Sequence, residues 1–290
     1  MDSTSAAPAA SRVALVTGCS TGIGAATARR LLREGYLVWA SARDSRSLAG
    51  LEAEGCRSIS LDLLDEGSIA PALDAIASRD GPVRVLVNNA GYGQHGPLEL
   101  TSSGALRRQF EVNVFGPLAL CRHVLPGMRR AGGGRIVNVS SMGGRLSFPG
   151  GGGYHGSKYA LEAMSDVLRW EVAGFGVGVT VVEPGPVRSA FGEAALATLP
   201  PMDGPYAVFG DSLRTALEGS FRGDGLPGAS TPEEVAEAIA TAIATEPAPS
   251  RVVVGAIAEQ MLAARAGSSD EQWDAFMDTL YRRPAWPSSP

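Results

Sequence analysis

Hydrophobic residues along this chain occur in short, β-branched runs, separated by stretches with the apolar spacing of helices. The runs are apolar throughout, which is typical of strands buried on both faces of a sheet. Their alternation with helices predicts right-handed βαβ crossovers and a parallel sheet. We therefore predict one α/β domain over residues 12–255, a Rossmann-type doubly wound sheet of about seven parallel strands with helices on both faces. The predicted strands are RVALVTG, YLVWASAR, SISLDL, VRVLVNNAG, GRIVNVSS, GVTVVEPG and RVVVGA.

Two segments interrupt this alternation. Residues 190–230 are rich in glycine, proline and aromatic residues, and a long excursion of this kind is often a lid or substrate loop. It is followed by Thr231 and Pro232, which we predict to be the N-cap and first residue of a helix. Residues 256–290 form a C-terminal extension with the helical segment DEQWDAFMDTLYRR, whose role is open between packing, a dimer contact and neither. Residues 1–11 are predicted to be a disordered leader.

Composition and charge narrow the classes of partner. The 290 residues carry a formal net charge of -5 without a cluster of Lys or Arg, which argues against nucleic acid because that binding requires neutralised phosphates. No apolar run of about 20 residues and no signal peptide are recognisable. Cys19, Cys56 and Cys121 lack the paired spacing of a zinc site and are expected to be reduced thiols. We predict a cytoplasmic protein with a small-molecule ligand, and neither a metal, a nucleic acid nor a membrane as partner.

A glycine-rich turn, TGCSTGIG, connects the first predicted strand to a helix. Gly18, Gly22 and Gly24 are where a Cβ would block the approach of a pyrophosphate to backbone N–H groups at a helix N-terminus. The spacing is G-x-x-x-G-x-G, which differs from the general dinucleotide fingerprint G-x-G-x-x-G. The turn alone could be an ordinary connection, but its position between strand and helix favours a dinucleotide site.

The end of the second predicted strand, ASARD, indicates which dinucleotide is bound. An NAD-binding protein would carry an acidic residue for the ribose 2′-hydroxyl where this chain has Ala42. The next residue, Arg43, can hold a 2′-phosphate. The alternative is that Arg43 is a solvated surface cation and Asp44 binds the ribose. We therefore expect NADP(H), with NAD(H) as the weaker candidate.

Candidate chemistry lies in the segment YHGSK, where Tyr154 and Lys158 are one helical turn apart and share a face. A lysine ammonium favours a phenolate, so we expect Lys158 to lower the pKa of Tyr154 and allow proton exchange with an alcohol or carbonyl oxygen. Ser141 ends the fifth predicted strand and can bond the same oxygen, while Asn113 lies in a helical stretch. Each residue alone has an ordinary structural explanation, but the combination points to hydride transfer with a nicotinamide.

Taken together, these motifs resemble the short-chain dehydrogenase/reductase family over residues 12–255. The resemblance implies that Tyr154 is the catalytic acid/base and that Lys158 lowers its pKa and bonds the nicotinamide ribose. It implies that Ser141, thirteen positions before the tyrosine, orients the substrate and that Asn113 holds a water. The motifs that carry it are the glycine turn, NNAG, Asn113, Ser141, Tyr154, Lys158 and the PG after the sixth strand.

The resemblance also implies a set of cofactor contacts. Asp62 and Leu63 would meet the adenine, and the segment EPGPVRS would lie by the nicotinamide, with Ser189 where the family more often has threonine. The full expected set is Gly18, Ser20, Thr21, Gly22, Ile23, Gly24, Arg43, Asp62, Leu63, Asn89, Ala90, Gly91, Tyr154, Lys158, Pro184, Gly185, Val187 and Ser189.

The pattern VWASARD is most similar to NADP-preferring members that act on steroids, retinoids and related carbonyls, and suggests a hydrophobic ketone, aldehyde or alcohol as substrate. His155 is expected to be solvated or at the cofactor edge. Expected pocket walls are Tyr92, His95, Met142, Phe148 and Phe191.

Alternatives to an NADP(H)-dependent reductase or alcohol dehydrogenase remain open. One is a catalytically silent NADPH-binding regulator on the same fold, against which Ser141, Tyr154 and Lys158 together count. Another is a sugar epimerase or dehydratase of the related longer-chain group, whose glycine spacing does not match. Apolar positions on residues 104–130 and 155–173 predict a homodimer or homotetramer, as in family members.

Overall fold

The computed structural model describes residues 12–221 and 227–285, so the predicted leader, residues 1–11, lies outside the described residues. These residues form a parallel seven-stranded sheet in the order β3-β2-β1-β4-β5-β6-β7. The predicted doubly wound α/β fold is therefore confirmed. The strands are β1 Val13–Val16, β2 Leu37–Ala42, β3 Arg57–Ser60, β4 Val85–Asn88, β5 Gly134–Val139, β6 Val177–Pro184 and β7 Arg251–Val254.

Helices cover both faces of this sheet. They are α1 Gly22–Arg33, α2 Ala49–Ala53, α3 Glu66–Asp80, α4 Ser103–Phe110, α5 Gly116–Arg130, α6 Gly152–Val172, α7 Phe191–Leu196, α8 Ala207–Phe221, α9 Pro232–Ala244, α10 Ala256–Ala266 and α11 Asp270–Leu280. A π-helical segment, Glu111–Phe115, joins α4 to α5. Short 3-10 turns occur at Ser45–Leu48, Met142–Gly144, Ala173–Phe175 and Gly204–Tyr206.

The apolar character of the central strands, such as β1, has a direct structural reason. Successive side chains of a strand point to opposite faces of the sheet. In β1, Val13 and Leu15 belong to the core beneath α3 and α5, whereas Ala14 and Val16 belong to the core beneath α1 and α9. Both faces of β1 are thus buried, and its alternate side chains enter two different cores.

The helix predicted to start at Thr231 and Pro232 has the expected N-terminus. The Thr231 hydroxyl accepts a hydrogen bond from the Glu234 backbone N–H, and the Glu234 carboxylate accepts one from the Thr231 N–H. This reciprocal capping satisfies N–H groups that a helix start leaves unpaired. It fixes the point at which the chain returns to the sheet after residues 190–230.

The two segments outside the regular alternation contain more helix than the sequence pattern indicated. Within residues 190–230 lie α7, the turn Gly204–Tyr206 and α8. The extension contains α10, which the sequence analysis did not anticipate, as well as the expected α11. Trp273 and Met277 of α11 pack on Leu146 and Phe148, so α11 covers the chain that follows β5.

Among the described residues, none of the helices combines the length and hydropathy needed to span a bilayer. No cluster of metal-binding side chains occurs in the same part of the chain. All three cysteines are buried free thiols.

Candidate active site

A cleft of about 1410 Å³ opens at the carboxyl ends of the strands. It lies where the sheet order reverses between β1 and β4, the point at which doubly wound sheets bind ligands. One part, which we call the cofactor half, is lined by Gly18, Ser20, Thr21, Gly22, Ile23, Arg43, Asp62, Leu63, Asn89, Ala90 and Gly91. The other, the substrate half, is lined by residues of α7, α8, α10 and α11 and by Tyr92, His95, Met142 and Phe148.

The glycine turn after β1 is shaped by close backbone contacts. Gly18 has a φ of 72°, and a Cβ on it would lie 2.8 Å from Cα of Ala90. A Cβ on Gly24 would lie 2.6 Å from Nδ2 of Asn89 and would also collide with the carbonyl of Gly18. That Asn89 amide donates hydrogen bonds to the carbonyls of Thr17, at 2.9 Å, and Gly18, at 3.2 Å. The Asn89 hydrogen bonds hold the chain after β4 against the turn after β1. The close contacts require glycine at positions 18 and 24.

The N-terminus of α1 faces the cleft and fits a phosphate group. Ser20 and Thr21 are exposed, and the Thr21 side chain makes no capping hydrogen bond although Thr21 is the N-cap. The first turn carries no acidic residue. Free N–H groups and the positive end of the helix dipole favour an anion at this place, and Gly22, with a φ of 59°, keeps side-chain bulk away. The cradle could therefore hold the pyrophosphate of a dinucleotide.

Arg43 lies exposed at the edge of the cofactor half, next to the end of β2. Its neighbour Asp44 caps the Ser45–Leu48 turn by accepting from the Arg46 N–H at 3.0 Å and pairs with the Arg46 guanidinium at 2.8 Å. In the part of the chain that the structure describes, the Arg43 guanidinium has no ion pair or hydrogen bond. Arg43 can therefore reach a ligand, while Asp44 is engaged with Arg46.

Asp62 and Leu63 follow β3 and line the far side of the cofactor half. The Asp62 carboxylate accepts a hydrogen bond from the Leu64 N–H at 3.0 Å, which fixes this turn. Leu63 is buried against Gly116, where a Cβ would lie 2.7 Å from Cβ of Leu63. These residues could contact a flat ring at the end of the cleft.

Tyr154 lies where the two halves meet, in the first turn of α6. Its ring stacks on His95, at 5.8 Å between ring centroids, and contacts Phe191 at 5.5 Å. Its hydroxyl hydrogen-bonds the Ser141 side chain. Desolvation raises the pKa of Tyr154 to about 12, and the Ser141 bond opposes that shift only in part. The direction is opposite to the lowering expected from the sequence, because burial of the hydroxyl dominates and the opposing effect comes from Ser141 rather than from Lys158.

Lys158 is 6% exposed and reaches from α6 toward the end of β5. Its Nζ donates a hydrogen bond to the Val139 carbonyl at 2.8 Å and lies 5.9 Å from the centroid of the Tyr154 ring. Burial lowers its pKa from 10.5 to about 8, a shift that the charge of Glu162 opposes. Below pH 8 the ammonium is still the main form, next to the tyrosine and open to the cleft.

Asn113 belongs to the π-helical segment, a distortion that often marks functional sites. Its Nδ2 donates to the Tyr92 carbonyl at 3.0 Å and to Oγ of Ser157 at 3.1 Å, and its Oδ1 accepts from the Tyr92 N–H. A Cβ on Gly91 would be 3.1 Å from this Oδ1 and 3.8 Å from Nζ of Lys158. The amide oxygen and the ammonium therefore face the same small space beside Gly91.

The loop after β6 closes the cleft opposite the glycine turn. Val187 bridges to Ser230, and a Cβ on Gly22 would lie 3.4 Å from Cβ of Ser189. A Cβ on Gly185 would lie 3.2 Å from the Ala258 backbone nitrogen, so α10 packs directly on this loop. Pro184, Gly185, Val187 and Ser189 all line the cleft.

His155 was expected to be solvated or at the cofactor edge; it is not solvated, but it does line the cleft. It is 7% exposed, and its Nδ1–H donates to the Gly143 carbonyl at 2.9 Å. Burial lowers its pKa to about 4. A neutral, hydrogen-bonded imidazole makes His155 a support for the turn that follows Ser141. The five expected wall residues do line the cleft: Tyr92, His95, Met142, Phe148 and Phe191.

Sequence reasoning missed most of the substrate half. Its walls include Val208, Ile257, Met261, Phe276, Leu280 and Tyr281. Phe276 and Leu280 are 37% and 45% exposed and lie one turn apart on α11, while Trp273 and Met277 of the same helix are buried. That spacing in DEQWDAFMDTL was a usable signal of a helix with a second apolar side.

A family model described as short chain dehydrogenase matches residues 12–199. The chain is 42% identical over 178 residues to the uncharacterized oxidoreductase YbbO of Escherichia coli K12, an alignment that covers 61% of this chain and 66% of that protein. The alignment thus spans just under two thirds of the length of that curated relative.

Two solved structures are similar over most of the chain. A short-chain dehydrogenase from Streptomyces avermitilis has a TM-score of 0.80 and 36% identity, covering 94% of this chain and 98% of that one. An alcohol dehydrogenase from Thermococcus sibiricus, solved with 5-hydroxy-NADP, has a TM-score of 0.69 and 26% identity, covering 85% and 97%.

Proposed function

This chain belongs to the short-chain dehydrogenase family, and we propose that it is an NADP(H)-dependent oxidoreductase that interconverts a carbonyl compound and the corresponding alcohol. The observation that carries the proposal is the junction of the two halves of the cleft. There the Tyr154 hydroxyl bonds Ser141, with Lys158 behind the ring and the glycine cradle at the other end. A protein that only binds a dinucleotide has no chemical need for this group of side chains.

Tyr154 is proposed to exchange the proton with the substrate oxygen. Its pKa lies well above 7, so the hydroxyl is protonated at neutral pH and can donate its proton to a carbonyl oxygen during reduction. Ser141 holds the same oxygen by a second hydrogen bond. Bound NADP(H) supplies the hydride chemistry that side chains lack.

Lys158 and Asn113 are proposed to support this exchange. The Lys158 ammonium favours the phenolate left on Tyr154 after proton donation and can bond the ribose. Asn113 shares with it the space beside Gly91, where a water could return a proton. The sequence contains 25 Lys and Arg residues, and Lys158 is the one lysine among them. Lysine differs from arginine in its compact charge and adjustable pKa, and this agrees with a chemical role for position 158.

NADP(H) is proposed over NAD(H) because Arg43 is free to pair with a 2′-phosphate, while Asp44 is held by Arg46. The solved relative from Thermococcus sibiricus, with its 5-hydroxy-NADP, supports the same choice. The proposed contacts are those expected from the sequence: Gly18, Ser20, Thr21, Gly22, Ile23, Gly24, Arg43, Asp62, Leu63, Asn89, Ala90, Gly91, Tyr154, Lys158, Pro184, Gly185, Val187 and Ser189.

The substrate is proposed to be a hydrophobic ketone, aldehyde or alcohol. The walls beyond Tyr154 are mainly aliphatic and aromatic, and Phe276 and Leu280 are exposed toward the cleft. Residues 190–230 are proposed to be the substrate-covering part of the domain 12–255, and the extension from residue 256 a second wall of the same pocket.

Assembly and location are proposed on separate observations. Trp170 is 86% exposed and Val167 58% exposed on α6, and Phe115 is 47% exposed next to α5. Large exposed apolar groups on α6 and immediately before α5 support a homodimer or homotetramer. Buried free thiols agree with a reducing compartment such as the cytoplasm.

The proposal is tested with the purified chain, NADPH and a panel of ketones and aldehydes of increasing size, following the oxidation of NADPH. We expect turnover with apolar members of the panel, and weaker activity with NADH. Tight NADPH binding without turnover of any compound would instead favour a regulatory NADPH-binding protein.

A further inference from the structure

A group of charged side chains, part of it fully buried, lies next to the proposed active site without lining the cleft. We call Glu162, Asp166, Glu183, Arg145 and Arg251 the Arg251 cluster. Nε of Arg251 lies 3.1 Å from a Glu162 oxygen and 3.0 Å from a Glu183 oxygen, and its second nitrogen lies 2.6 Å from Asp166. Arg145 lies 3.5 Å from the other Glu183 oxygen. Glu183 is fully buried and the Glu162 side chain is 6% exposed.

The cluster joins the three segments that carry the proposed chemistry. Glu162 lies one helical turn after Lys158 on α6. Glu183 immediately precedes Pro184, at the loop beside the cleft. A Cβ on Gly144 would lie 2.9 Å from Cγ of Glu162 and 2.7 Å from Oγ of Ser140, so Glu162 also packs on the turn that follows Ser141.

Two carboxylates this close would repel each other in a dry environment, and buried charges persist only when they are paired. Arg251, from the edge strand β7, is shared by both, and Arg145 adds a second cation near Glu183. Glu162 and Arg251 are 89 positions apart in sequence, so their ion pair forms only in the folded tertiary structure. Burying the charges of the Arg251 cluster costs solvation free energy. That cost is compensated if the charge of the cluster has a function at the active site.

We propose that Glu162 is a positioning residue for the active site: fixed by Arg251, its carboxylate supplies the buried negative charge that balances the Lys158 ammonium. The expected effect of Glu162 on catalysis rests on the proposed function, whereas its effect on the charge of Lys158 does not. The balance of charge between Glu162 and Lys158 can be measured without any substrate.

The other groups around Lys158 do not provide this charge. On its own helix Tyr154 is neutral, and Asn113 of the π-helical segment and the Val139 carbonyl of β5 are uncharged. Within residues 12–221 and 227–285, Glu162 is the group whose charge raises the pKa of Lys158 against the effect of burial.

The groups around Glu162 come from three further elements. Glu183 of β6 raises its pKa, while Arg251 of β7 and the Ser140 hydroxyl after β5 lower it, with burial as the largest effect and the net direction upward. Arg251 therefore favours the ionised form of Glu162 against the effect of burial. Asp166 faces the outer side of Arg251 and also pairs with Arg169.

The single lysine makes a direct test possible. In protein labelled with ¹³C-lysine, one side-chain signal reports Lys158, and its pH titration gives the pKa of this group. We expect a value near 8 in the wild type. In Glu162→Gln, we expect a value lower by roughly one to two units, since an opposite charge one helical turn away in a buried site has that effect.

Asp166→Asn is the matched control because it also removes a carboxylate from Arg251, one turn farther from Lys158. It should leave the lysine titration unchanged, and Glu162→Asp should restore most of the wild-type value. Should Glu162→Gln fail to fold, Glu162→Asp and Arg251→Gln carry the test, with a smaller downward shift expected in each. An unchanged lysine titration in the folded variants would overturn the proposal.

Catalysis supplies an independent readout. If Lys158 must be charged, activity is lost as pH rises through its pKa, so the basic limb of kcat/KM should move to lower pH in Glu162→Gln by the same amount as the lysine titration. A wild type that lacks turnover would remove the proposed function while the titration still decides the role of Glu162. A titration that shifts without any change in the pH profile would show that Glu162 sets the charge but not the reaction, and would overturn its role as a positioning residue.

Discussion

The cofactor half and the substrate half of the cleft are built by different means. In the cofactor half, strand ends and a glycine turn set the shape, and a Cβ on Gly18 or Gly24 would collide with backbone or with Asn89. In the substrate half, side chains from α8, α10 and α11 form the walls, and two of them, Phe276 and Leu280, are partly exposed. A half defined by backbone accepts one ligand shape, whereas a half defined by side chains can change its ligand without a change of fold.

The largest effect is expected at Tyr154, where the two halves meet. Tyr154→Phe keeps the ring between His95 and Phe191 but removes the hydroxyl that bonds Ser141. Turnover should fall by roughly 10² to 10⁴, the usual cost of losing an acid–base group, while NADPH affinity and melting temperature stay close to wild type. Steady-state kinetics, NADPH titration and thermal unfolding measure the three quantities.

Near-normal turnover in Tyr154→Phe would show that another group transfers the proton. Loss of the folded state would show that the hydroxyl is structural. Either result would contradict the proposed role of Tyr154 as the catalytic group at the junction of the cofactor half and the substrate half.

The second effect tests the buried ammonium of Lys158. Its pKa falls from 10.5 to about 8 in the folded chain, so between these pH values the unfolded chain binds more protons and the folded protein gains stability as pH rises. The full gain approaches about 3 kcal/mol, from 1.36 kcal/mol for each pKa unit. Lys158→Met lacks this contribution.

The difference in unfolding free energy between wild type and Lys158→Met should therefore move in favour of the wild type from pH 8 to 10.5. Taking the difference at each pH largely cancels the titration of the buried cysteines, which both proteins share. Denaturant unfolding at a series of pH values provides the data. A constant difference would mean that Lys158 keeps an ordinary pKa and that burial does not tune it.

Tyr154 and Lys158 show which properties of the site could be predicted from the sequence and which could not. The order of strands and helices, the glycine turn and the grouping of Ser141, Tyr154 and Lys158 follow from local patterns, because strand ends meet at one edge of a parallel sheet. The direction of the Tyr154 pKa was predicted wrongly. The i, i+4 lysine is visible in sequence, but the desolvation that dominates depends on packing.

The substrate half was less predictable because it, too, depends on packing between distant segments. Glycine and proline in residues 190–230 suggested irregular chain, yet α7 and α8 form because Phe209, Leu213 and Leu217 bury against one another and against Tyr281. The Arg251 cluster was invisible because its members are brought together only by the sheet. Contacts between distant segments, rather than local propensity, decide these regions.

The third effect belongs to the cofactor half. Arg43→Ala should weaken NADPH by roughly ten- to a hundredfold, the cost of a charge-assisted bond at a partly exposed site, and should leave NADH almost unaffected. Arg107→Ala is the matched control, since Arg107 is an exposed arginine that does not line the cleft. Binding of both cofactors to both variants is measured by fluorescence titration. Equal losses for NADPH and NADH would show that Arg43 does not select the 2′-phosphate.

The smallest effect is expected in the substrate half. It tests most directly whether the two halves of the cleft differ in how strictly they define their ligand. Phe276→Ser and Leu280→Ser each remove apolar wall from a partly exposed position, so the fold should persist and NADPH affinity should not change. For ketones with an extended apolar body, KM should rise roughly three- to tenfold, as expected when some tens of Å² of apolar contact are lost, whereas short ketones should be unaffected.

Leu100→Ser, at a similar exposure of 36% but away from the cleft, controls for the loss of a surface leucine. The KM ratio between long and short ketones isolates contact with the wall from changes in the chemical step. If both α11 variants shift long and short ketones alike, then α11 acts on the junction at Tyr154 rather than on substrate length. In that case the substrate half would be as fixed in shape as the cofactor half.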